Sequence, residues 1–239
     1  KNNVTLGYID DTANVLDDKI YLFSGQSDET VQTGVVTTAV DFYKKLGVDE
    51  TRIFYNKSVD AGHAFITDDN ADTPCDETKA PYINYCNINQ SYRILNRIYG
   101  SLNDPAPQTT GKLITFDQSE FFNSLLYPNV SMDDKAYVYV PEACESEQCR
   151  VHVAMHGCEQ GTQSLGLEYV TETGYNNVAD TNNIIVLYPQ AKKSALNPKG
   201  CWDFWGYSNN NLPPFTYFTK SAPQMAAIKA MIDRVSQPK

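Results

Sequence analysis

The octapeptide Val151-His152-Val153-Ala154-Met155-His156-Gly157-Cys158 is the most specific local feature of the sequence. A strand that ends in His-Gly turns sharply and can aim a backbone N–H at a reacting oxygen. Such a donor stabilises the negative charge that develops on an ester carbonyl during hydrolysis. By geometry the donor here is the N–H of Cys158. The competing reading is a plain buried strand with a glycine turn behind it. A second candidate, Asp28, lies in Gly25-Gln26-Ser27-Asp28-Glu29-Thr30-Val31, straight after an apolar run and ahead of a helix. A carboxylate there can orient a catalytic histidine. Equally, Ser27 or Asp28 can cap the helix that follows. The third candidate is His63 in Gly62-His63-Ala64-Phe65. Only three histidines are present, and His152 and His156 share one strand. His63 is therefore the best free general base; its competing reading is a surface-loop histidine.

A hydroxyl nucleophile on a strained strand-to-helix turn calls for Gly-x-Ser-x-Gly. No such pentapeptide occurs. Ser27 has Gly25 before it but Glu29 after it. Ser164, in Gly161-Thr162-Gln163-Ser164-Leu165-Gly166, has its first glycine one place too far and follows a polar run. A cysteine nucleophile is not expected, because all six cysteines can pair.

The elements that must position these residues follow from hydrophobic periodicity. Ile20-Tyr21-Leu22-Phe23 predicts a buried strand, and residues 52–55 another. Val31, Val35, Ala39, Phe42 and Leu46 recur at helical spacing, with Gly47 as the stop. Residues 67–90 read as a polar loop stapled by two cysteines. A helix is predicted over 92–99, ending at Gly100, then a loop over 101–111. Strands are predicted at 136–140 and 151–155, as neighbours joined by the Cys144–Cys149 loop. A helix around 165–181 leads to the strand Ile184–Tyr188. Residues 192–221 form a long aromatic excursion. The last helix, 224–235, places Met225, Ile228, Met231 and Ile232 on one face. Alternating strands and helices predict an α/β fold with a mostly parallel sheet, in one domain spanning 1–239.

The chain has 239 residues, 41% of them apolar, enough for one packed core. Its net charge of −10 disfavours a nucleic-acid partner, whose phosphates call for clustered Lys and Arg. No run approaches a membrane span. Lys1-Asn2-Asn3-Val4-Thr5 is not a signal peptide, so either a signal was removed or the chain starts inside a longer precursor. The cysteines are Cys75, Cys86, Cys144, Cys149, Cys158 and Cys201. None form Cys-x-x-Cys, and the histidine spacing fits no zinc pattern, so no metal is expected. An even count points to three disulfides and an oxidising compartment, hence to secretion. Proximity pairs Cys75 with Cys86 and Cys144 with Cys149, leaving Cys158 with Cys201, among fifteen possible connectivities. Sequons stand at Asn3, Asn56, Asn89 and Asn129.

The order of the pieces is informative. In the usual α/β-hydrolase, the His-Gly strand comes first, then the nucleophile elbow, the acid and the histidine. Here the acid and the histidine precede the His-Gly strand. Joining Lys239 to Lys1 restores the order, with the elbow missing at the join. The sequence therefore reads as a circularly permuted α/β-hydrolase whose nucleophile-elbow segment is absent from this chain.

The chain resembles secreted, single-domain, circularly permuted poly(3-hydroxybutyrate) depolymerases. The resemblance rests on Lys19-Ile20-Tyr21-Leu22-Phe23-Ser24-Gly25-Gln26-Ser27-Asp28, Gly62-His63-Ala64-Phe65, Pro81-Tyr82-Ile83-Asn84-Tyr85-Cys86-Asn87, Ile98-Tyr99-Gly100-Ser101-Leu102-Asn103, His152-Val153-Ala154-Met155-His156-Gly157-Cys158, Leu187-Tyr188-Pro189-Gln190-Ala191 and Asn197-Pro198-Lys199-Gly200-Cys201-Trp202-Asp203. It implies Asp28 as triad acid, His63 as triad base, the Cys158 N–H as oxyanion donor, and the Cys158–Cys201 bridge. It also implies a polyester or short hydroxyalkanoate ester as substrate, with no cofactor. Trp202, Phe204 and Trp205 are expected beside His63, lining an apolar crevice; a tryptophan there can also be simple core. Phe204 stands where some relatives present a Trp. Family members open with Gly-Leu-Ser-Ser-Gly-Gly or a close variant, which this chain lacks. The expected partner is thus an N-terminal fragment of the same precursor carrying the serine. The alternative is a non-catalytic binding module of hydrolase ancestry that has lost its nucleophile.

Overall fold

The computed structural model describes residues 2–209 and 216–237. A short helix α1 (Asn2–Thr5) precedes strand β1 (Ile20–Phe23), helix α2 (Thr33–Leu46) and strand β2 (Ile53–Asn56). Three short strands follow, β3 (Phe65–Thr67), β4 (Thr73–Pro74) and β5 (Ile83–Tyr85), then helix α3 (Gln90–Tyr99). The second half runs β6 (Lys112–Asp117), β7 (Lys135–Val140), β8 (Arg150–Val153), α4 (Thr162–Leu165), α5 (Glu168–Glu172), α6 (Tyr175–Asn182), β9 (Ile184–Tyr188) and α7 (Pro223–Val235).

The strands form three ladders, β1-β2, β3-β5-β4 and β6-β7-β9-β8. Pairings β1/β2, β3/β5, β4/β5 and β8/β9 are parallel; β6/β7 and β7/β9 are antiparallel. The sheet is α/β and mostly parallel, in keeping with a hydrolase-like fold. Every residue of β9 is buried. Its Ile184, Val186 and Tyr188 pack with Val178 and Ala179 of α6, while Ile185 and Leu187 pack with Ala227 and Met231 of α7. Helices thus cover both faces, which is why this strand reads as an unbroken apolar run.

Several sequence expectations are corrected. The strands around 136–140 and 151–155 are not neighbours, since β9 lies between them. The all-apolar strand takes the doubly covered centre, and β8, with Arg150 and His152, takes the edge. The single helix expected over 165–181 is three helices. Gly166 (φ 62°) and Gly174 (φ 78°) adopt left-handed backbone and break it. The stapled loop 67–90 contains β4 and β5. Helix α2 turns a different face inward: Val40 is buried, while Val35 and Phe42 are exposed and Val31 lies before the helix. In α7, Met231 is buried but Met225 points outward. Strand β6 lies just past the loop expected over 101–111, where no element is predicted. Of the excursion 192–221, residues 210–215 lie outside the described residues. No helix among the described residues is long and apolar enough to cross a membrane.

The chain direction fixes where the loops gather. Strands β8 and β9 run parallel, so the turn at 154–158 and the segment from Pro189 onward leave from the same end of the sheet. Strand β7 is antiparallel to β9, which brings the loop 118–134 to that end as well.

Candidate active site

Asp28 and His63 sit on the loops that follow β1 and β2. The two loops are stitched by main-chain bonds: Gln26 N–H to Val59 O (2.9 Å) and Ser27 N–H to Ala61 O (3.1 Å). Gly25 permits the contact, since a Cβ there would lie 2.1 Å from the Ala61 carbonyl oxygen. Gly62 serves the next layer in the same way, its missing Cβ falling 2.2 Å from Glu77 O. Its N–H donates to Cys75 O (2.9 Å), and the His63 N–H donates to Thr78 Oγ1 (2.8 Å). Asn84, fully buried on β5, donates from Nδ2 to Cys75 O and Glu77 O (3.0 and 2.6 Å) and holds that platform from below.

On this scaffold Asp28 Oδ2 meets His63 Nδ1 at 2.8 Å, although the two residues are 35 positions apart. Asp28 Oδ1 accepts from the N–H groups of Thr30 and Val31 (2.9 and 2.7 Å). One oxygen of Asp28 thus closes the turn ahead of α2 and the other takes the imidazole, while the N-cap position of α2 itself is Gln32, without a side-chain bond. A carboxylate can only accept, so Nδ1 carries a proton, and in the neutral ring Nε2 then keeps the lone pair. The Asp28 side chain is 10% exposed and that of His63 43%. An imidazole held in this way can take a proton from a hydroxyl brought to Nε2.

The turn after β8 is fixed as tightly. His156 is 2% exposed and uses both ring nitrogens: Nδ1 lies 2.7 Å from Gly157 O, and Nε2 accepts the Ala191 N–H at 3.0 Å. Its ring is thus neutral with the proton on Nδ1. Burial pushes its pKa down, with the Gly157 carbonyl opposing. The Gly157 N–H donates to Gln160 Oε1 (2.9 Å). With Gly157 O drawn to the imidazole, the planar peptide points the Cys158 N–H the opposite way. That N–H donates to no group among the described residues. Glu159 follows in left-handed backbone (φ 62°), with its N–H on Lys199 O.

All three disulfides form as expected: Cys75–Cys86, Cys144–Cys149 and Cys158–Cys201, with Cα separations of 4.8, 5.7 and 4.2 Å. The last ties the turn to the aromatic loop. There Trp202 is half-buried in core and donates from Nε1 to His156 O (3.0 Å), so it braces the turn from within. Phe204 is 69% exposed and stacks edge-on against Trp205 at 4.6 Å, which meets Tyr207 at 4.7 Å. Asp203 organises the loop by accepting from the N–H groups of Trp205, Gly206, Tyr207 and Ser208. A wide polar concavity of about 1120 Å³, bordered by Thr67, Asn89, Gly111, Tyr139 and Asn177, touches none of these residues.

The sequence marks His156 within the His-Gly turn, but it does not mark Gln160, Asn84 or Asp203 as bracing residues. Gln160 bonds Tyr82 O, 78 positions away, and a residue type alone carries no such signal.

No family model matches the chain. It is 43% identical over 235 residues to a poly(3-hydroxybutyrate) depolymerase of Delftia acidovorans, covering 96% of this chain and 45% of that one. It is 35% identical over 241 residues to a polyhydroxybutyrate depolymerase of Talaromyces funiculosus, covering 93% of this chain and 67% of the relative. The chain thus spans less than half the length of the Delftia relative. Among solved structures, it superposes with TM-score 0.86 and 35% identity on a serine-to-alanine variant of a PHB depolymerase complexed with an R3HB trimer. That match covers 96% of this chain and 74% of the other. A PHB depolymerase from Penicillium funiculosum gives TM-score 0.85 at 34% identity, covering 98% and 76%.

Proposed function

The chain belongs to the poly(3-hydroxybutyrate) depolymerase family, and on that footing we propose that it is part of a secreted serine esterase hydrolysing polyhydroxybutyrate-type polyester or its short oligomers. The observation that carries this reading is the 2.8 Å bond between Asp28 Oδ2 and His63 Nδ1, with Nε2 left free. Three disulfides fit an extracellular site of action. The proposed catalytic serine belongs to a segment outside these 239 residues, since no elbow pentapeptide stands within them.

Strand edges support that placement. Among the described residues, β8 pairs only with β9 and β1 only with β2, which leaves one edge of each unpaired. Helix α3 lies against both: Tyr21 of β1 bonds Gln90 at its start, and Tyr99 at its end bonds Val151 O of β8. That length of helix is about 14 Å. Two strand spacings are about 10 Å, so an elbow strand of the permuted hydrolase order has room between them.

In the proposed reaction the serine Oγ attacks the ester carbonyl while His63 Nε2 takes its proton. The oxyanion receives the Cys158 N–H and the N–H following the serine. Collapse expels the alcohol, protonated by His63, and leaves an acyl-enzyme. Water, deprotonated by His63, then releases the hydroxy acid and restores the serine.

The test uses the full-length protein. Parent and His63→Ala are compared on a soluble short-chain ester and on polyester film, with intact-mass analysis of the purified species. Loss of activity by orders of magnitude with the fold retained is expected. An inactive parent, or a lone species of 239 residues without a serine-bearing companion, favours the second reading: a binding module without its nucleophile.

A further inference from the structure

Base and oxyanion donor lie on different ladders, yet catalysis needs their separation held to about 0.5 Å. Within the 154–161 turn and the 57–86 segment, the described hydrogen bonds that join the two all run through one side chain, that of Gln160. Its Oε1 accepts the Gly157 N–H at 2.9 Å, and its Nε2 donates to Tyr82 O at 3.0 Å and Pro81 O at 3.3 Å. Tyr82 O also accepts the Phe65 N–H at 2.8 Å, two residues beyond His63. The path from Gly157 to Phe65 is therefore three hydrogen bonds through one amide and one carbonyl. Gln160 is 8% exposed, so water competes little for either end.

We infer that Gln160 is a positioning residue that sets the oxyanion turn against the His63 loop. This rests on the proposed esterase reaction. The chemistry of the amide explains the residue type. One end must accept from a backbone N–H and the other must donate to a backbone carbonyl. A glutamate loses the donor, a lysine loses the acceptor, and an asparagine is one methylene short. His156 complements it from the other side: it takes the Gly157 carbonyl as Gln160 takes the Gly157 N–H, so both polar groups of that residue are spoken for. The Cys158 N–H keeps the one direction left to it.

The experiment compares Gln160→Leu and Gln160→Glu with the parent full-length protein on a soluble short-chain ester. The leucine variant removes both bonds. A displacement of about 1 Å at the reacting atoms lowers kcat about 100-fold while KM holds within about threefold. The glutamate variant keeps the bond to Gly157 and loses the one to Tyr82, so its kcat falls between the two. Amide hydrogen exchange supplies a readout independent of turnover: the Gly157 amide exchanges faster in Gln160→Leu and stays protected in Gln160→Glu. If the parent is inactive, the esterase reading fails. If the parent is active and Gln160→Leu keeps its kcat, or Gln160→Glu matches the parent in kcat, the positioning role is overturned. Should the leucine variant not fold, the near-isosteric glutamate variant decides alone.

Discussion

Replacing Asp28 with asparagine separates the two jobs that its carboxylate performs. Oδ1 holds the N–H groups of Thr30 and Val31, and Oδ2 holds His63 Nδ1. In Asp28→Asn the carbonyl oxygen must stay on the two N–H groups. Flipping the amide would set its NH2 against two donors and forfeit two hydrogen bonds, at a cost of about 2 kcal/mol or more. The amide NH2 therefore faces His63 Nδ1 and donates to it. That forces the imidazole proton onto Nε2, the atom that accepts from the serine in the proposed reaction. Such a tautomer reversal costs about 10⁴ in kcat, or about 5 kcal/mol of transition-state stabilisation. The turn ahead of α2 is kept, so unfolding free energy should move by less than about 1 kcal/mol. The assay is steady-state hydrolysis of a soluble ester by the full-length protein, with denaturant unfolding alongside. Imidazole ¹⁵N shifts of His63 report the tautomer. Activity within about tenfold of the parent, with the Nε2–H tautomer confirmed, would refute the reasoning.

Three further outcomes follow from other contacts. Burial pushes His152 down to about 4. The unfolded chain thus binds a proton that the fold rejects, and stability, full above about pH 6.5, is lost as pH falls toward 4, by at most about 3 kcal/mol since the edge-strand ring is only partly shielded. Urea melts at stepped pH should show this slope, and His152→Phe should reduce it, leaving the part that comes from His156, which burial also pushes down. Cys158→Ala with Cys201→Ala opens a link of sequence separation 43. Unfolding free energy should then drop by about 4 kcal/mol; no change in the urea midpoint would count against this link as a staple. Phe204→Ala should leave stability within about 0.5 kcal/mol because its ring is exposed. If its ring meets substrate, oligomer hydrolysis slows; an unchanged rate removes Phe204 from the crevice.

How much of this was legible depends on the range of the interaction. Ile20–Phe23 and Ile184–Tyr188 announced themselves as apolar runs, because burial is recorded residue by residue. Cysteine proximity pointed to the pairs at 75/86 and 144/149. The Asp28–His63 pairing is implied by the resemblance rather than by the residues alone, because nothing local joins two side chains 35 positions apart. The order of β8 and β9 was not reachable from spacing, since it depends on which strand both helical layers cover. The inward face of α2 differs from the expected one for a related reason. Val35 and Phe42 look like core in a helical repeat, but in the packed helix they are exposed and Val40 is the buried residue. Gln160 left no trace, because its partners Gly157 and Tyr82 contribute backbone atoms that any residue possesses.

The unpaired edges of β1 and β8 bear on more than the placement of a strand. Asp28 and His63 lie on one side of that seam and Cys158 on the other. Among the described residues no ladder bond crosses it. Helix α3, the Gln160 amide and the rings of Phe65, Tyr169 and Tyr175 span it, and Lys220 adds bonds to Tyr8 O and Asp10. Two flanks joined mainly by side chains can open as separate cooperative units. A strand entering the seam would pair with both edges at once. Delivery of the nucleophile and fusion of the two flanks would then be one event, so that catalytic competence and resistance to local unfolding, and to the proteolysis that local unfolding admits, would be acquired together.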